Sequence, residues 1–334
     1  MHLASNLQSL RTAIPYIRAY KGRTFVIKLG GELCRPGPAL HNLAEQIALL
    51  HQLGIRVVVV HGGGPQASDL SRRLGLSPRI VAGRRVTDAE TLEAAKMAFA
   101  GTINTDVVAA LCAAGAPAVG LSGCDGGMIQ VRRRPVSEVV DPQTQTSQVV
   151  DFGFVGDVTA VDVRPARVLL DADYLPVVCC LASDAAGQVY NVNADTVAAH
   201  LAVEIGAAKY FLLTQVDGVL RNLADPTTLL SYLDVAQLDD LVASGAVGGG
   251  MLPKLAACRD VLSRGVPRVH IVNGTKPDTL LAEVFTNEGC GTLVVAQRES
   301  AEDAAQSQSG SDAGGNGQSR LAGRGLALVG GGAS

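Results

Sequence analysis

Lysine is scarce in this chain, with six residues against 22 arginines among 334. Two of the six sit beside glycine clusters. Lys28 stands in Ile27-Lys28-Leu29-Gly30-Gly31, and Lys254 follows Gly248-Gly249-Gly250-Met251-Leu252-Pro253. Glycine lets backbone N–H groups approach an oxyanion closely, and an ammonium balances its charge. A lysine near a turn is ordinarily a solvated surface residue. The same pairing at both ends of a lysine-poor chain favours function over chance. A further cluster, His61-Gly62-Gly63-Gly64-Pro65-Gln66, follows the apolar run Val57–Val60. Glycine clusters at strand ends that hand over to helices belong at the carboxyl edge of an α/β sheet, where such folds place ligands.

Two polar blocks join them. In Tyr190-Asn191-Val192-Asn193-Ala194-Asp195 the three polar residues alternate, so an extended segment would turn them to one side. Asn193 or Asp195 serves equally as a helix N-cap. In Gly83-Arg84-Arg85-Val86-Thr87-Asp88 one arginine could grip a carboxylate through two parallel hydrogen bonds. The bland reading is a solvated basic turn capped by Thr87 or Asp88. Arg132-Arg133-Arg134 reads as a solvated hairpin. Gly62-x-Gly64-x-x-Ala67 fits the dinucleotide fingerprint, but the acidic residue expected beyond the next strand is missing from Arg79–Arg84. No G-x-x-x-x-G-K-[ST] loop occurs, so phosphate handling must be of another type.

The elements that must carry these residues alternate strictly. Strands are expected at 25–27, 55–60, 118–121, 176–180, 210–213, 268–272 and 292–295. Helices are expected at 39–53, 66–74, 88–114 (one or two), 165–173, 194–206, 235–243, 251–264 and 277–285. This is the pattern of a parallel sheet covered by helices on both faces. Hairpins are expected within 122–160. Residues 5–20 predict an amphipathic helix interrupted by Pro15. From about Arg298 the chain is Ala/Gly/Ser/Gln-rich and is expected to be disordered. The net charge is −3, aromatics are 4% and tryptophan is absent, which argues against nucleic-acid partners. Seven cysteines without C-x-x-C spacing suggest neither zinc nor a disulfide framework, and a cytoplasmic setting. No apolar run reaches membrane-spanning length.

Taken together, KLGG, HGGGPQ, GRRVTD, LSGCDGG, DFGFVGD, YLPVV, GQVYNVNADTVA, LLTQVDGVL and GGGMLPK resemble the acetylglutamate kinases of the amino-acid-kinase superfamily, over about Lys21–Val295. The resemblance implies a three-layer α/β/α sandwich with a mainly parallel central sheet. Its lobes would be 21–187, for the acyl amino acid and dimerisation, and 188–297, for ATP and arginine. The implied reaction is transfer of the γ-phosphoryl group of ATP, carried with Mg²⁺, to the side-chain carboxylate of N-acetyl-L-glutamate in arginine synthesis. Lys28 and Lys254 would stabilise the moving charge, and Asp195 would orient them. Gly30, Gly31, Gly62 and Gly63 would donate N–H groups. Gly62, Gly63, Gly64, Arg85, Asn191 and Asn193 would hold the substrate. Gly30, Gly31, Thr214, Gln215, Gly250 and Lys254 would hold the nucleotide. No dedicated metal ligands are implied.

The leading segment 1–20 is similar to the helix of arginine-inhibited members that links dimers into a hexamer. Tyr16, Lys209, His270, Glu283 and Gly289 match their inhibitor site, and a PII signalling protein joins the implied partners. The bland reading makes His270 a satisfied strand-end histidine and Glu283 a solvated helix residue. Three positions depart from the family pattern: Gln215 for a usual Asp, Arg84 for Leu, and Thr105 for Lys. The other readings are an arginine-sensing module without catalysis, and a kinase for a related substrate such as an acylated aminoadipate.

Overall fold

The computed structural model describes residues 2–140, 147–222, 225–245, 247, 251–286 and 289–297. The Gly248–Gly250 cluster and the tail from Arg298 lie outside these. In chain order the elements are α1 (His2–Tyr20), β1 (Thr24–Leu29), α2 (Pro38–Gln52), β2 (Arg56–His61), α3 (Gly64–Arg73), β3 (Ile80–Val81), β4 (Arg84–Arg85) and α4 (Ala89–Lys96). Then come α5 (Asn104–Ala113), β5 (Ala118–Ser122), β6 (Ile129–Arg133), β7 (Ser137–Val140), β8 (Ser147–Val150), β9 (Gly156–Val161), α6 (Arg164–Asp171), β10 (Leu175–Cys179), β11 (Leu181–Ser183) and β12 (Val189–Asn191). The last are α7 (Ala194–Ile205), β13 (Lys209–Thr214), β14 (Tyr232–Asp234), α8 (Val235–Ala243), α9 (Leu252–Ser263), β15 (Arg268–Asn273), α10 (Thr279–Phe285) and β16 (Thr292–Val295).

Among the described residues, eight strands form the main sheet in the order β14-β16-β15-β13-β1-β2-β10-β5. Its pairs are parallel except β15–β16. The central strands β13, β1 and β2 carry apolar residues on both faces (KYFLLT, TFVIKL, RVVVVH), as a doubly covered sheet requires. The stripe Leu40, Leu43, Ala44, Ile47 and Leu50 buries α2, which packs with α5 and α10. Helix α9 packs with α7 and with α8. The three-layer α/β/α arrangement is the one expected.

Strand order places the ligand crevice. From β1 the chain proceeds to β2 on one side, while β13 lies on the other. Parallel sheets open a crevice at such a reversal, beyond the carboxyl ends of the strands. Register brings those ends level: Leu29 pairs with His61 and Leu213, and Thr214 with Asn273. Gly30, Gly62, Gln215 and Gly274 therefore leave the sheet side by side.

Several local details escaped the periodicity. Helix α1 continues through Pro15. Between α4 and α5, within the 88–114 span expected to hold one or two helices, lies a π-helical turn, Met97–Ile103, that the periodicity did not indicate. Arg132 and Arg133 are exposed, as a solvated hairpin predicts, but the run is also ion-paired. Arg133 meets both oxygens of Asp151 at 3.0 and 2.8 Å, and Arg134 pairs with Asp157 at 2.6 Å and lies over the Phe152 ring. Thr87 is clamped from both sides, its N–H donating to Phe152 O and its carbonyl accepting from Phe154 N–H, which fixes the segment bearing Arg85. Gly153 has φ +70°, and a Cβ there would strike the Thr87 carbonyl.

Buried Gln46 of α2 stops the first turn of α10. Its Oε1 accepts the N–H groups of Leu280 (2.9 Å) and Leu281 (3.3 Å). Gln46→Leu keeps the volume and orphans two donors, so stability should fall by about 1–3 kcal/mol. Urea unfolding would read this as a lower midpoint; an unchanged midpoint would show that α10 does not depend on the contact.

Candidate active site

Lys28 leaves β1 beneath the crevice, and Asp195 stands in the first turn of α7. Lys28 Nζ lies 2.7 Å from Asp195 Oδ1. Lys254, in the first turn of α9, brings its Nζ to 3.8 Å from Asp195 Oδ2. One carboxylate thus joins two ammoniums that are 226 residues apart in sequence (254 minus 28). A helix N-terminus favours a negative group, and α7 supplies one through its own sequence. Asn193 caps that helix, its Oδ1 accepting from Asp195 N (2.8 Å) and Thr196 N (3.3 Å).

Burial pushes the Asp195 carboxyl up, but the Lys28 and Lys254 charges outweigh it and hold it below the ordinary carboxylate range. Burial pulls Lys254 down, with Lys28 adding to the effect and Asp195 opposing it. Cys34, Cys180 and Cys258 surround the triad; burial pushes the Cys34 and Cys180 thiols up to about 12, so they stay protonated and add no charge. The cleft therefore carries two cations against one anion. That excess suits a phosphate or carboxylate.

The glycine loops are built by close approach. A Cβ on Gly63 would overlap Ile103 and sit 2.8 Å from the Phe99 ring, both from the π-helical turn. A Cβ on Gly31 would lie 3.0 Å from the Pro65 side chain and 3.2 Å from the Gly63 Cα. Gln66 Nε2 donates to Gly31 O at 2.6 Å, tying the two loops together. Not every N–H expected to face a ligand is available. Gly30 N–H donates to Leu213 O (3.2 Å) and Gly62 N–H to Leu29 O (3.0 Å), so both extend the sheet. Among the described residues, no hydrogen bond is found for the N–H groups of Gly31, Gly63 and Gly64.

Arg85 is no solvated turn residue. Its Nη2 donates to Gly64 O and Ser68 Oγ, each at 2.6 Å, while Nη1 is buried without a partner among the described residues. A buried donor of this kind is costly unless a ligand completes it. Asn191, at the end of β12, donates to Thr87 Oγ1 at 3.2 Å beside the Arg85 segment. Thr214 uses its hydroxyl to hold the turn after β13, accepting from Val216 N–H at 2.9 Å. Gln215 is exposed on the same turn. Gly250 lies outside the described residues. Sequence reasoning passed over Gln66, Ser68, His61 and Asn104. Gln66 and His61 were visible within HGGGPQ, but nothing in the sequence pairs Ser68 with Arg85 or Asn104 with His61.

A second charged cluster lies at the opposite end of β13. Lys209 opens that strand, buried, with its Nζ 4.7 Å from the Tyr20 ring centre. Burial draws it down to about 8, with Arg268 adding and Glu283 opposing. His270 stacks on Phe211 at 4.7 Å and meets Glu283 Oε1 through Nδ1 at 2.8 Å. Burial brings His270 down to about 4, so a neutral imidazole donates to an ionised carboxylate. Glu283 Oε2 accepts from Cys290 and Gly291 N–H groups at 2.9 and 3.1 Å. Gly289, at φ +59°, lies so near that a Cβ would come within 2.8 Å of that oxygen. Helix α1, carrying Tyr16 and Tyr20, packs on α10. Glu283 is thus buried rather than solvated.

Known proteins resemble this chain over most of its length. The amino acid kinase family profile matches residues 23–273. An acetylglutamate kinase of Myxococcus xanthus is 48% identical over 289 residues, which cover 86% of this chain and 94% of that enzyme. Among solved structures, N-acetylglutamate synthase from Neisseria gonorrhoeae complexed with coenzyme A and N-acetyl-glutamate superposes with a TM-score of 0.75 at 30% identity. The match covers 88% of this chain and spans 64% of that enzyme's length. The same synthase complexed with coenzyme A and L-arginine gives 0.75 at 28% identity, covering 91% of this chain and 70% of that one. With the family profile matching residues 23–273 and an acetylglutamate kinase 48% identical over most of both chains, the chain belongs to the amino acid kinase family and, within it, to the acetylglutamate kinases.

Proposed function

We propose that this chain transfers the γ-phosphoryl group of ATP to the side-chain carboxylate of N-acetyl-L-glutamate, giving N-acetyl-L-glutamyl 5-phosphate and ADP. The observation that carries the reading is the pair of ammoniums on Asp195 at the switch point. A side-chain carboxylate with an ordinary pKa of about 4.3 is ionised at neutral pH, so it needs no general base. One of its oxygens forms the new P–O bond while the bond to the β-phosphate bridging oxygen breaks and its electrons leave on ADP. What remains is positioning and charge balance. Lys28 and Lys254 face the phosphoryl oxygens, with Asp195 preventing each from drifting onto the ground-state ligands. Gly31, Gly63 and Gly64 offer the N–H donors. Arg85 closes its free Nη1 on the α-carboxylate, and Asn191 meets the acetamido group.

The lobe assignment belongs to the same proposal: residues 21–187 take the acyl amino acid and 188–297 take ATP. Two ammoniums on one carboxylate suit phosphoryl oxygens, not a bare divalent cation. Mg²⁺ is therefore assigned to the ATP phosphates, where it keeps most of its water and shares their charge. The cluster of Lys209, His270, Glu283 and Gly289 with Tyr16 on α1 is proposed to take L-arginine as inhibitor. Glu283 would meet the guanidinium and Lys209 the carboxylate. Dimerisation through the 21–187 lobe, with α1 linking dimers where a hexamer forms, in the cytoplasm, completes the reading. Among the described residues, no helix is long and apolar enough to cross a membrane.

Hydroxylamine trapping of the acyl phosphate tests the activity. ATP and N-acetyl-L-glutamate should give the hydroxamate; a folded preparation that gives none contradicts the proposal. Lys254→Ala should lower kcat by about 10²–10³-fold, the cost of losing one preorganised charge-stabilising donor, with the melting temperature retained. A wild-type kcat would remove Lys254 from the mechanism. Glu283→Gln should raise the arginine concentration for half-inhibition about ten-fold or more while kcat without arginine persists, since one charge-assisted hydrogen bond accounts for about 1.5–3 kcal/mol. An unchanged arginine response would place the inhibitor elsewhere.

A further inference from the structure

His61 is the last residue of β2, fully buried, and the phosphoryl-transfer scheme above gives it no task. Its surroundings fix its tautomer. Asn104, the first residue of α5, lies between the His61 ring and β10, with Nδ2 3.0 Å from Val177 O and 3.1 Å from His61 Nε2. A backbone carbonyl can only accept, so the Asn104 group facing Val177 must be the NH₂ end. That NH₂ then donates its second hydrogen to Nε2, which must be unprotonated. The ring proton therefore resides on Nδ1, which lies 3.0 Å from Gly62 O and donates to it. Burial keeps the imidazole neutral, drawing its pKa to about 4 against the raising effect of that bond.

This chain of donors ends on one peptide. The Gly62–Gly63 unit is planar and trans, so its N–H points opposite to its C=O. With Gly62 O drawn to the His61 ring, the Gly63 N–H is turned away from the layer that holds His61 and Asn104. That N–H is one of those for which no partner is found among the described residues. The π-helical turn sets the relay in place. It presses Phe99 and Ile103 against Gly63 and delivers Asn104 as the next residue. Among the described residues, no other hydrogen bond reaches this peptide: Gly62 N–H serves the sheet, and Gly63 O accepts the first helical bond from Ala67 N–H.

We infer that His61 and Asn104 are positioning residues, a Val177–Asn104–His61–Gly62 hydrogen-bond relay that locks the Gly63 N–H toward the transferred phosphoryl group. The inference rests on the kinase reading. Its effect would fall on kcat, because an N–H aimed at charge that develops in the transition state acts there and not on ground-state binding.

Two substitutions separate positioning from simple packing. In His61→Asn the amide nitrogen can occupy the place of Nδ1 and still donate to Gly62 O. In His61→Gln the amide reaches the place of Nε2 and the donor to Gly62 O is gone. His61→Gln should lower kcat by about 10–100-fold, the scale of a misplaced reacting group, with KM for both substrates little changed. His61→Asn should recover most of that loss. Equal losses in the two variants, or a loss confined to KM, would overturn the inference. Nitrogen NMR of histidine-labelled wild-type protein provides a readout independent of turnover: Nδ1 should be the protonated nitrogen and Nε2 the bare one. The opposite tautomer would overturn the relay even in an active enzyme. A wild-type protein that forms no acyl phosphate would instead refute the kinase reading, with the tautomer still deciding whether the relay exists.

Discussion

Two ammoniums share the carboxylate of Asp195, and the rest of the structure is arranged so that they can. Neither lysine could be buried alone, because an unpaired charge out of water costs several kcal/mol. One carboxylate for two cations leaves an excess positive charge in the crevice, which a phosphate or carboxylate ligand would balance. Lys28 comes from the central strand β1, Asp195 from the first turn of α7 and Lys254 from the first turn of α9. The three meet because β1 and β13 are neighbours at the reversal of strand order, and because α7 and α9 pack together on one face. The protonated thiols of Cys34, Cys180 and Cys258 line the triad without competing for its charge.

The sheet was legible because its strands are buried on both faces and read as unbroken apolar runs. Helix 235–243 and strand 292–295 appear at the bounds expected, and the glycine clusters of residues 30–31 and 62–64 stand at strand ends as their composition suggested. The meeting of Lys28 with Lys254 was suggested by rarity, since only six lysines occur in the chain. What the sequence concealed is hydrogen-bond allocation. Gly30 and Gly62 look like ligand donors, yet strand pairing takes their N–H groups. Asn193 looks like a substrate residue, yet its oxygen caps α7. The π-helical turn leaves no mark in a pattern of period 3.6, because one extra residue per turn changes which side chains face inward without changing their types. Asn104 on His61 is a contact over 43 residues that no local spacing announces.

The two charged clusters occupy opposite ends of the same sheet. β13 starts with Lys209 and ends with Thr214; β15 carries His270 and ends with Asn273 beside Asp217. Both polar sites are thus anchored in one rigid sheet, with α10 bearing Glu283 and α1 packed upon it. An inhibitor at Lys209 and Glu283 would act on the helices that cover this end, so any coupling must pass through the sheet or through assembly.

The central claim is electrostatic: the two lysines, rather than burial, decide the charge of Asp195. A carboxyl-carbon NMR titration measures this directly, with the Asp195 signal identified by its loss in Asp195→Asn. The account predicts a pKa below the ordinary aspartate value of about 3.9, rising when Lys254 is replaced by alanine. A value above the ordinary one in the wild-type protein would mean that burial prevails, that the carboxyl is held neutral, and that the paired ammoniums are not the organising interaction.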